Sequence, residues 1–161
     1  MLKLKRLVFV LLAITACAGG VSLAADPLED LTSSALLAAE LGVSAARPLR
    51  VVQTPVEEVA IRYEWLPHLV EKEGDARERY ARYLLPTLIE PFEVWLTRYE
   101  DGRYRKRYIG VFQGAHDIMV IVRENADGSL MWNFMQARDQ KMNQHRVGAL
   151  LYRSEKPAGV P

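Results

Sequence analysis

The chain has 161 residues, half of them hydrophobic, and a formal net charge of +1. A chain of this length buries one ordinary hydrophobic core and hardly two. The only cysteine is Cys17, which excludes a disulfide-stapled fold and thiol catalysis for the body of the chain. Residues 26–90 hold 7 Lys/Arg against 12 Asp/Glu, whereas residues 91–161 hold 11 against 8. The basic half weakly indicates a polyanion-binding surface, and a solvated sheet face explains it equally well.

The first 25 residues have the pattern of a bacterial export signal, with a basic start followed by the apolar run 7–16. Three outcomes remain open. Small residues before Ala25 form a cleavage site, residues 14–17 resemble a lipoprotein box in which Cys17 is lipidated, and residues 7–25 are just long enough for an uncleaved anchor. The pattern predicts an exported, periplasmic or envelope-associated protein that contacts membrane only through this signal or a lipid.

Residues 26–59 are predicted to be a linker with one short helix at 35–41, which Gly42 ends. A short extended segment is expected near Val51 and Val52, followed by a helix or turn at 56–64. The folded domain is predicted at 60–153, with a flexible tail at 154–161.

The next helix is predicted from a capping box, because Asp75 is followed three residues later by Glu78. The helix should begin near residue 76 and end before Pro86. Arg77 then shares one helical face with three less polar side chains (Tyr80, Ala81, Leu84). An unpaired buried guanidinium is costly, so Arg77 needs a partner or a ligand.

After this helix the hydrophobic pattern indicates strands. Alternation and one fully apolar run predict four of them, at 93–99, 103–112, 117–124 and 130–136. Asp-Gly pairs at 101–102 and 127–128 are typical hairpin turns. The apolar end of segment 143–152 is predicted to pack back on the sheet. The expected class is α+β, with N-terminal helices packed on a four-stranded antiparallel meander sheet.

Several sequence segments carry a resemblance to a known family: D-A-R-E-R-Y, P-F-E-V-W, R-Y-I-G-V-F, D-G-S-L-M-W-N-F and N-Q-H-R-V-G-A-L-L-Y. In this order, residues 60–153 resemble the phage-associated branch of the barnase–EndoU–colicin–RelE nucleases, often attached to phage head morphogenesis and polyvalent proteins. The resemblance implies a metal-independent ribonuclease without a cofactor. The predicted export signal is not expected in a protein that is attached to a capsid-assembly protein, so this sequence departs from the family pattern at its N-terminus.

Metal-free RNA cleavage needs a base, an acid and positive charge on the phosphate. His68 is the candidate proton-transfer group, because imidazole titrates near neutral pH. Arg77 is the candidate phosphate clamp, and Glu93 is either a base or the carboxylate that orients Arg77. Arg146, which matches a motif position of the family, is a candidate second phosphate contact. Each also has a structural alternative. His68 would be a helix-end residue, Arg77 and Glu93 would form an ion pair, and Arg146 would cap the final segment.

Substrate contacts are predicted on the strands. Arg107 is a candidate backbone contact, and Tyr108 and Trp132 are candidate base-stacking residues. The alternatives are a charged edge strand and core aromatics, respectively. His116 and His145 are weaker candidates for a second proton-transfer group.

No metal site is predicted, because the three histidines are scattered and no zinc-ligand spacing occurs. Two functions stay open. The first is an exported, monomeric endoribonuclease, toxin-like or phage-derived, with RNA as substrate and an immunity protein or envelope protein as a possible partner. The second is an inactive nuclease fold that serves as an envelope interaction module. Convergence of His68, Arg77, Glu93 and Arg146 in one open cleft would favour the enzyme, whereas scattered positions, or a cleft filled by segment 26–60, would favour the interaction module.

Overall fold

The structure is a computed structural model that describes residues 27–70, 77–112 and 117–155. The described α-helices are α1 (Pro27–Leu41), α2 (Leu66–Val70), α3 (Leu84–Ile89) and α4 (Asp139–Met142). The described residues also form three 3₁₀ helices, at Tyr63–Trp65, Arg77–Tyr83 and Asn143–His145. The described strands are β1 (Leu49–Gln53), β2 (Glu58–Arg62), β3 (Glu93–Arg98), β4 (Tyr104–Gly110), β5 (Asp117–Asn125), β6 (Gly128–Ala137) and β7 (Ala149–Arg153).

All seven described strands form one sheet in the order β1-β2-β6-β5-β4-β3-β7. The α+β class is confirmed, and both predicted hairpins are present, because β3 pairs antiparallel with β4 and β5 with β6. The prediction of a four-stranded antiparallel meander sheet is wrong. β1 and β2 extend one edge, β7 extends the other, and β2 runs parallel to β6, so the sheet is mixed.

Strand β2 lies where a helix or turn was predicted. Val59 and Ile61 are buried, while the residues between and beside them are more exposed, which is the alternation of a half-buried strand. Five residues give a weak periodic signal, and pairing with β1 and β6 decides the conformation. Strand β1 matches the expected extended segment.

Helix α1 is longer than the predicted short helix and belongs to the folded unit. Leu37 and Leu41 are fully buried in the main core. Gly42 has a φ of +68° and ends α1 as predicted. Its N–H donates to the Ala39 carbonyl at 3.2 Å, and the Val43 N–H donates to Ala38 at 3.0 Å, which is a Schellman motif. The described part of segment 26–59 is therefore folded structure rather than a linker.

The prediction that the helical segment after residue 76 ends before Pro86 is wrong. The segment runs as the 3₁₀ helix Arg77–Tyr83 and continues as α3, with Pro86 as the third residue of α3. In the first turn of a helix, the N–H that proline lacks has no intrahelical partner to lose. Asp75 and the side chain of Glu78 lie outside the described residues, so the capping box stays a prediction.

The sheet has two different faces. Helices α1 to α3 pack on the first face over a core that includes Val94, Tyr108 and Val120. The opposite face, here the open face, carries the alternate residues of β3 to β6. Of the described helices, α4 contacts one end of it, where Met142 packs with three buried side chains (Ile109, Met119, Ala137).

The C-terminal apolar run joins the sheet as edge strand β7, paired with β3. Its large side chains stay accessible, since Leu150 and Leu151 are each 42 % exposed. Backbone pairing therefore holds this segment more than apolar burial does. No described helix is both long and apolar enough to cross a bilayer.

Candidate functional site

Arginines are concentrated on the open face. Strand alternation and register place Arg105 and Arg107 of β4 on this face, with Arg123 of β5 directly opposite Arg105. Arg105 forms an ion pair with Asp101. Arg107 and Arg123 have no ion pair with any described carboxylate. The open face thus carries positive charge that the described protein does not neutralise.

Arg123 stacks on aromatic side chains. Its Cζ atom lies 3.3 Å from the ring centroid of Trp132 and 5.5 Å from that of Trp65. The two indole rings are 4.8 Å apart, and the ring of His68 lies 4.6 Å from Trp65. We call these four residues the aromatic cluster. It contains the predicted residues Trp132 and His68.

A β-bulge places Trp132 in this cluster. Ile121 pairs with Asn133 and Val122 pairs with Met131, so Trp132 has no residue opposite it on β5. An extra residue on one strand redirects side chains locally, and such bulges occur often near functional sites.

The cluster lies in a positive environment. Burial, followed by the charges of Arg103 and Arg105, lowers the pKa of Arg123 from its usual value. Guanidinium groups that repel one another favour an anion between them.

A cleft of about 630 Å³ lies beside Arg105 on this face, and we call it the His145 cleft. Among its lining residues are Thr97, Tyr99, Arg105, Arg107 and His145. The Nη1 group of Arg107 donates to the backbone carbonyl of His145 at 3.0 Å, and its Nε donates to the Tyr99 hydroxyl at 3.0 Å. Arg107 therefore fixes both neighbours within the cleft.

His145 has the electrostatics of a base. Burial and the charge of Arg107 lower its pKa below the ordinary histidine value of 6.5. The imidazole is therefore neutral at pH 7 and can accept a proton.

Glu93 organises a second cleft, of about 420 Å³. Its side chain is 1 % exposed. One carboxylate oxygen accepts from Arg146 Nε at 2.6 Å and Trp95 Nε1 at 3.0 Å, and the other accepts two N–H groups of Arg153. Asp117 also lines this cleft. Glu93 thus orients Arg146 and Arg153.

Glu93 is ionised at neutral pH. Burial by itself raises the pKa of Glu93, but the hydrogen bonds from Trp95, Arg153 and Arg146 outweigh it and hold the pKa below its usual value of 4.5. A fully engaged, buried carboxylate is a positioning group rather than an accessible base.

Arg77 opens the 3₁₀ helix whose residue Ala81 is buried in the main core under the first face. The side chain of Arg77 lies outside the described residues. The carboxylate proposed to orient Arg77 is instead held by Arg146 and Arg153.

Tyr108 is a core residue, so the prediction that it stacks on a base is wrong. It is fully buried, and its hydroxyl bonds with Thr54 at 3.1 Å and donates to Glu57 at 3.0 Å. Burial raises the pKa of Tyr108 far above its usual value. The β1–β2 turn, which supplies both partners, was not predicted to reach this strand.

The predicted residues therefore fall into separate groups. Glu93 and Arg146 meet in one cleft, and Arg107 meets His145 in another. His68 and Trp132 each contact Trp65 in the aromatic cluster, so His68 does not join Glu93 and Arg146. Cys17 and His116 lie outside the described residues. The sequence predictions missed four residues of the open face and of the second cleft: Arg105, Tyr99, Arg123 and Arg153. Alternation along the predicted strand 103–112 already places Arg105 on the same face as Arg107.

No group of three or more His, Cys, Asp or Glu side chains suited to a metal ion occurs among the described residues. Comparison with family models gives a match to the phage-Barnase-EndoU-ColicinE5/D-RelE like nuclease2 model over residues 37–153. Searches of curated proteins and of solved structures found no significant match. With most of its length matched, the chain belongs to the phage-Barnase-EndoU-ColicinE5/D-RelE like nuclease2 family.

Proposed function

We propose that the protein is a metal-independent endoribonuclease that cleaves RNA on the open face of its sheet. The observation that carries this proposal is the His145 cleft, where a histidine with a lowered pKa adjoins Arg107, which no described carboxylate neutralises. Family membership supports nuclease chemistry. RNA as the substrate follows from a base placed to activate a 2′-hydroxyl.

Arg105 and Arg107 bind the scissile phosphate. Planar guanidinium groups offer paired N–H donors to phosphate oxygens. Two N–H groups of Arg107 are engaged by Tyr99 and His145, which fixes the orientation of the remaining donors. These arginines stabilise the charge that develops on the phosphorane, so the proposed reaction requires no metal ion.

His145 accepts the proton of the 2′-hydroxyl, whose oxygen then attacks the adjacent phosphorus. The bond from phosphorus to the 5′-oxygen breaks, and a 2′,3′-cyclic phosphate forms. Tyr99 supplies the proton to the leaving 5′-oxygen. Its hydroxyl accepts an N–H of Arg107, which holds the phenol in position, and has no described acceptor for its own proton. Solvent returns both groups to their starting protonation states.

Glu93 acts as a positioning residue in this proposal. It holds Arg146 and Arg153 beside the second cleft, at the end of β3 away from Tyr99. In this proposal Arg146 forms a second contact with an RNA phosphate. His68, which contacts Trp65, contributes at the aromatic cluster rather than at the scissile phosphate.

A second candidate function is nucleic-acid or protein binding without cleavage, as an envelope interaction module. The bonding of Glu93 favours this second function. The carboxylate of Glu93 accepts hydrogen bonds from Arg146, Arg153 and Trp95, so it offers no free oxygen to a substrate. Export to the periplasm or envelope remains part of the proposal in both cases, on the strength of the N-terminal pattern. An acidic immunity protein would match the charge of the open face.

The test is incubation of the purified chain with end-labelled single-stranded RNA, with and without EDTA. Cleavage that EDTA leaves unchanged, with 2′,3′-cyclic phosphate ends, is the expected result. A matched oligonucleotide with one 2′-deoxy sugar at the cleavage site should resist. Intact RNA bound with measurable affinity would select the binding function, and cleavage that needs a divalent cation would contradict the mechanism.

A further inference from the structure

The aromatic cluster of Trp65, His68, Arg123 and Trp132 lies outside both hydrophobic cores. Neither indole belongs to the buried groups that hold the two faces of the sheet together. Trp132 and Arg123 are half-buried, and His68 is exposed. Core packing therefore does not explain the stack.

The cluster also contains unsatisfied donors. The indole Nε1 of Trp65 and the Nε of Arg123 are buried and have no hydrogen-bond acceptor among the residues that the structure describes. Arg123 forms no ion pair with a described carboxylate, and it stands opposite another arginine. The contact with Trp132 favours this guanidinium, whereas the charges of Arg103 and Arg105 oppose it. Since no described carboxylate neutralises it, its charge remains open to an anionic ligand.

The cluster adjoins the phosphate-binding residues. Arg123 and Arg105 are cross-strand partners, and neighbouring strands lie about 5 Å apart. Arg105 also lines the His145 cleft. If one phosphate of an RNA strand is bound at Arg105 and Arg107, the neighbouring base therefore lies within reach of Arg123 and Trp132.

We propose that Trp132 and the guanidinium of Arg123 form a stacking subsite for an unpaired nucleobase next to the bound phosphate. Aromatic rings and guanidinium planes both stack on bases, and every base offers a flat face. A base within a duplex is already stacked and paired, so the subsite selects single-stranded RNA. This inference rests on the proposed function for the placement of the phosphate.

The test measures binding without cleavage. The full chain is titrated against a fluorescein-labelled 2′-O-methyl RNA octamer, which lacks the attacking hydroxyl, as a single strand and as a duplex. Wild type should bind the single strand more tightly than the duplex. Trp132→Leu should weaken single-strand binding about tenfold or more and leave duplex binding unchanged. Tyr104→Leu is the matched control, because Tyr104 is 57 % exposed and alternates to the first face.

An abasic octamer with the same phosphates separates stacking from charge. Wild type and Trp132→Leu should bind it equally, because it has no base to stack. Arg123→Gln provides a second variant if Trp132→Leu loses its native circular dichroism spectrum, and it should reduce the preference for the single strand.

Two outcomes overturn the inference: equal affinity of wild type for both forms, or single-strand binding that neither variant weakens. If these results occur while wild type still cleaves RNA, the proposed function stands and the subsite is wrong. If single-strand binding depends on Trp132 but RNA stays intact, the subsite stands and the cleavage proposal is wrong.

Discussion

Arg105 and Arg123 lie directly opposite each other on adjacent antiparallel strands of the open face. Like charges in this position destabilise a sheet by several tenths of a kcal/mol, on the order of a favourable cross-strand pair. Asp101 neutralises only Arg105. The sheet therefore keeps a locally unfavourable pair where an anionic ligand would be stabilised, which is the pattern expected where function opposes stability.

We predict that His145→Ala lowers the rate of RNA cleavage by roughly 10²-fold or more, the range for loss of a general base. Because the pKa of His145 is lowered, its neutral form already predominates at pH 7. The wild-type kcat/KM should rise as the pH increases through the lowered pKa of His145 and should have levelled off by pH 7. Lys141→Ala, an exposed change in the same segment, is the control. An unchanged rate in His145→Ala would contradict the assignment.

Arg107→Lys is predicted to lower cleavage by about tenfold or more while the melting temperature stays near that of wild type. Lysine keeps the charge but loses the planar fork, whose separate nitrogens donate to Tyr99 and to His145 and leave further N–H groups for a phosphate. The measurement is kcat/KM together with thermal unfolding. Arg79→Lys, at an exposed position on the 3₁₀ helix Arg77–Tyr83, should change neither. A fully active Arg107→Lys enzyme would rule out the proposed fork.

Glu93→Gln is predicted to lower the free energy of unfolding by about 3 kcal/mol at pH 7, because Arg146 and Arg153 lose their shared carboxylate. The folded pKa of Glu93 is below its ordinary value of 4.5, so its stabilising contribution is complete above that value. The contribution is lost as the pH falls through the folded pKa.

Denaturant unfolding of wild type and Glu93→Gln from pH 7 to pH 3 measures this contribution. The difference between them should shrink as the pH falls below 4.5. A constant difference across this range would show that Glu93 does not act through its charge.

Gly148→Ala is predicted to be more destabilising than Gly128→Ala. Both glycines have positive φ, +106° and +115°, so both substitutions strain the backbone. Only at Gly148 would the new Cβ meet backbone, 2.1 Å from the Leu96 carbonyl oxygen, whereas nothing lies within 4 Å at Gly128. The clash should add about 2 kcal/mol and displace β7 from β3. Equal losses in denaturant unfolding would contradict the close approach.

Export is predicted from the N-terminal pattern alone. Mass spectrometry of the protein from a bacterial host should show that the mature chain lacks at least residues 1–16. A diacylated Cys17 would select the lipoprotein outcome, and cleavage before Ala25 would select the secreted one. An intact Met1 in the cytosolic fraction would contradict export.

Local patterns in the sequence were sufficient for the two central hairpins and the end of α1. Alternation over 93–99 and 103–112 and the Asp-Gly turns depend on neighbours within a few residues, as does the φ of Gly42. Strand alternation also puts Glu93 and Trp95 on one face of β3, where the indole N–H of Trp95 donates to Glu93. These features are visible in sequence because backbone geometry and turn chemistry are short-range.

Tertiary structure decided the rest, because the deciding contacts are between residues far apart in the chain. Glu93 meets Arg146 and Arg153 from 53 and 60 positions away, which no local period encodes. Tyr108 is buried because the β1–β2 turn brings Thr54 and Glu57 to its hydroxyl. Strand β2 exists as a strand because it runs parallel to β6, about 70 residues later in the chain. Long-range pairing brought these isolated charges together, and it gave Glu93 the partners Arg146 and Arg153 where the sequence had suggested Arg77.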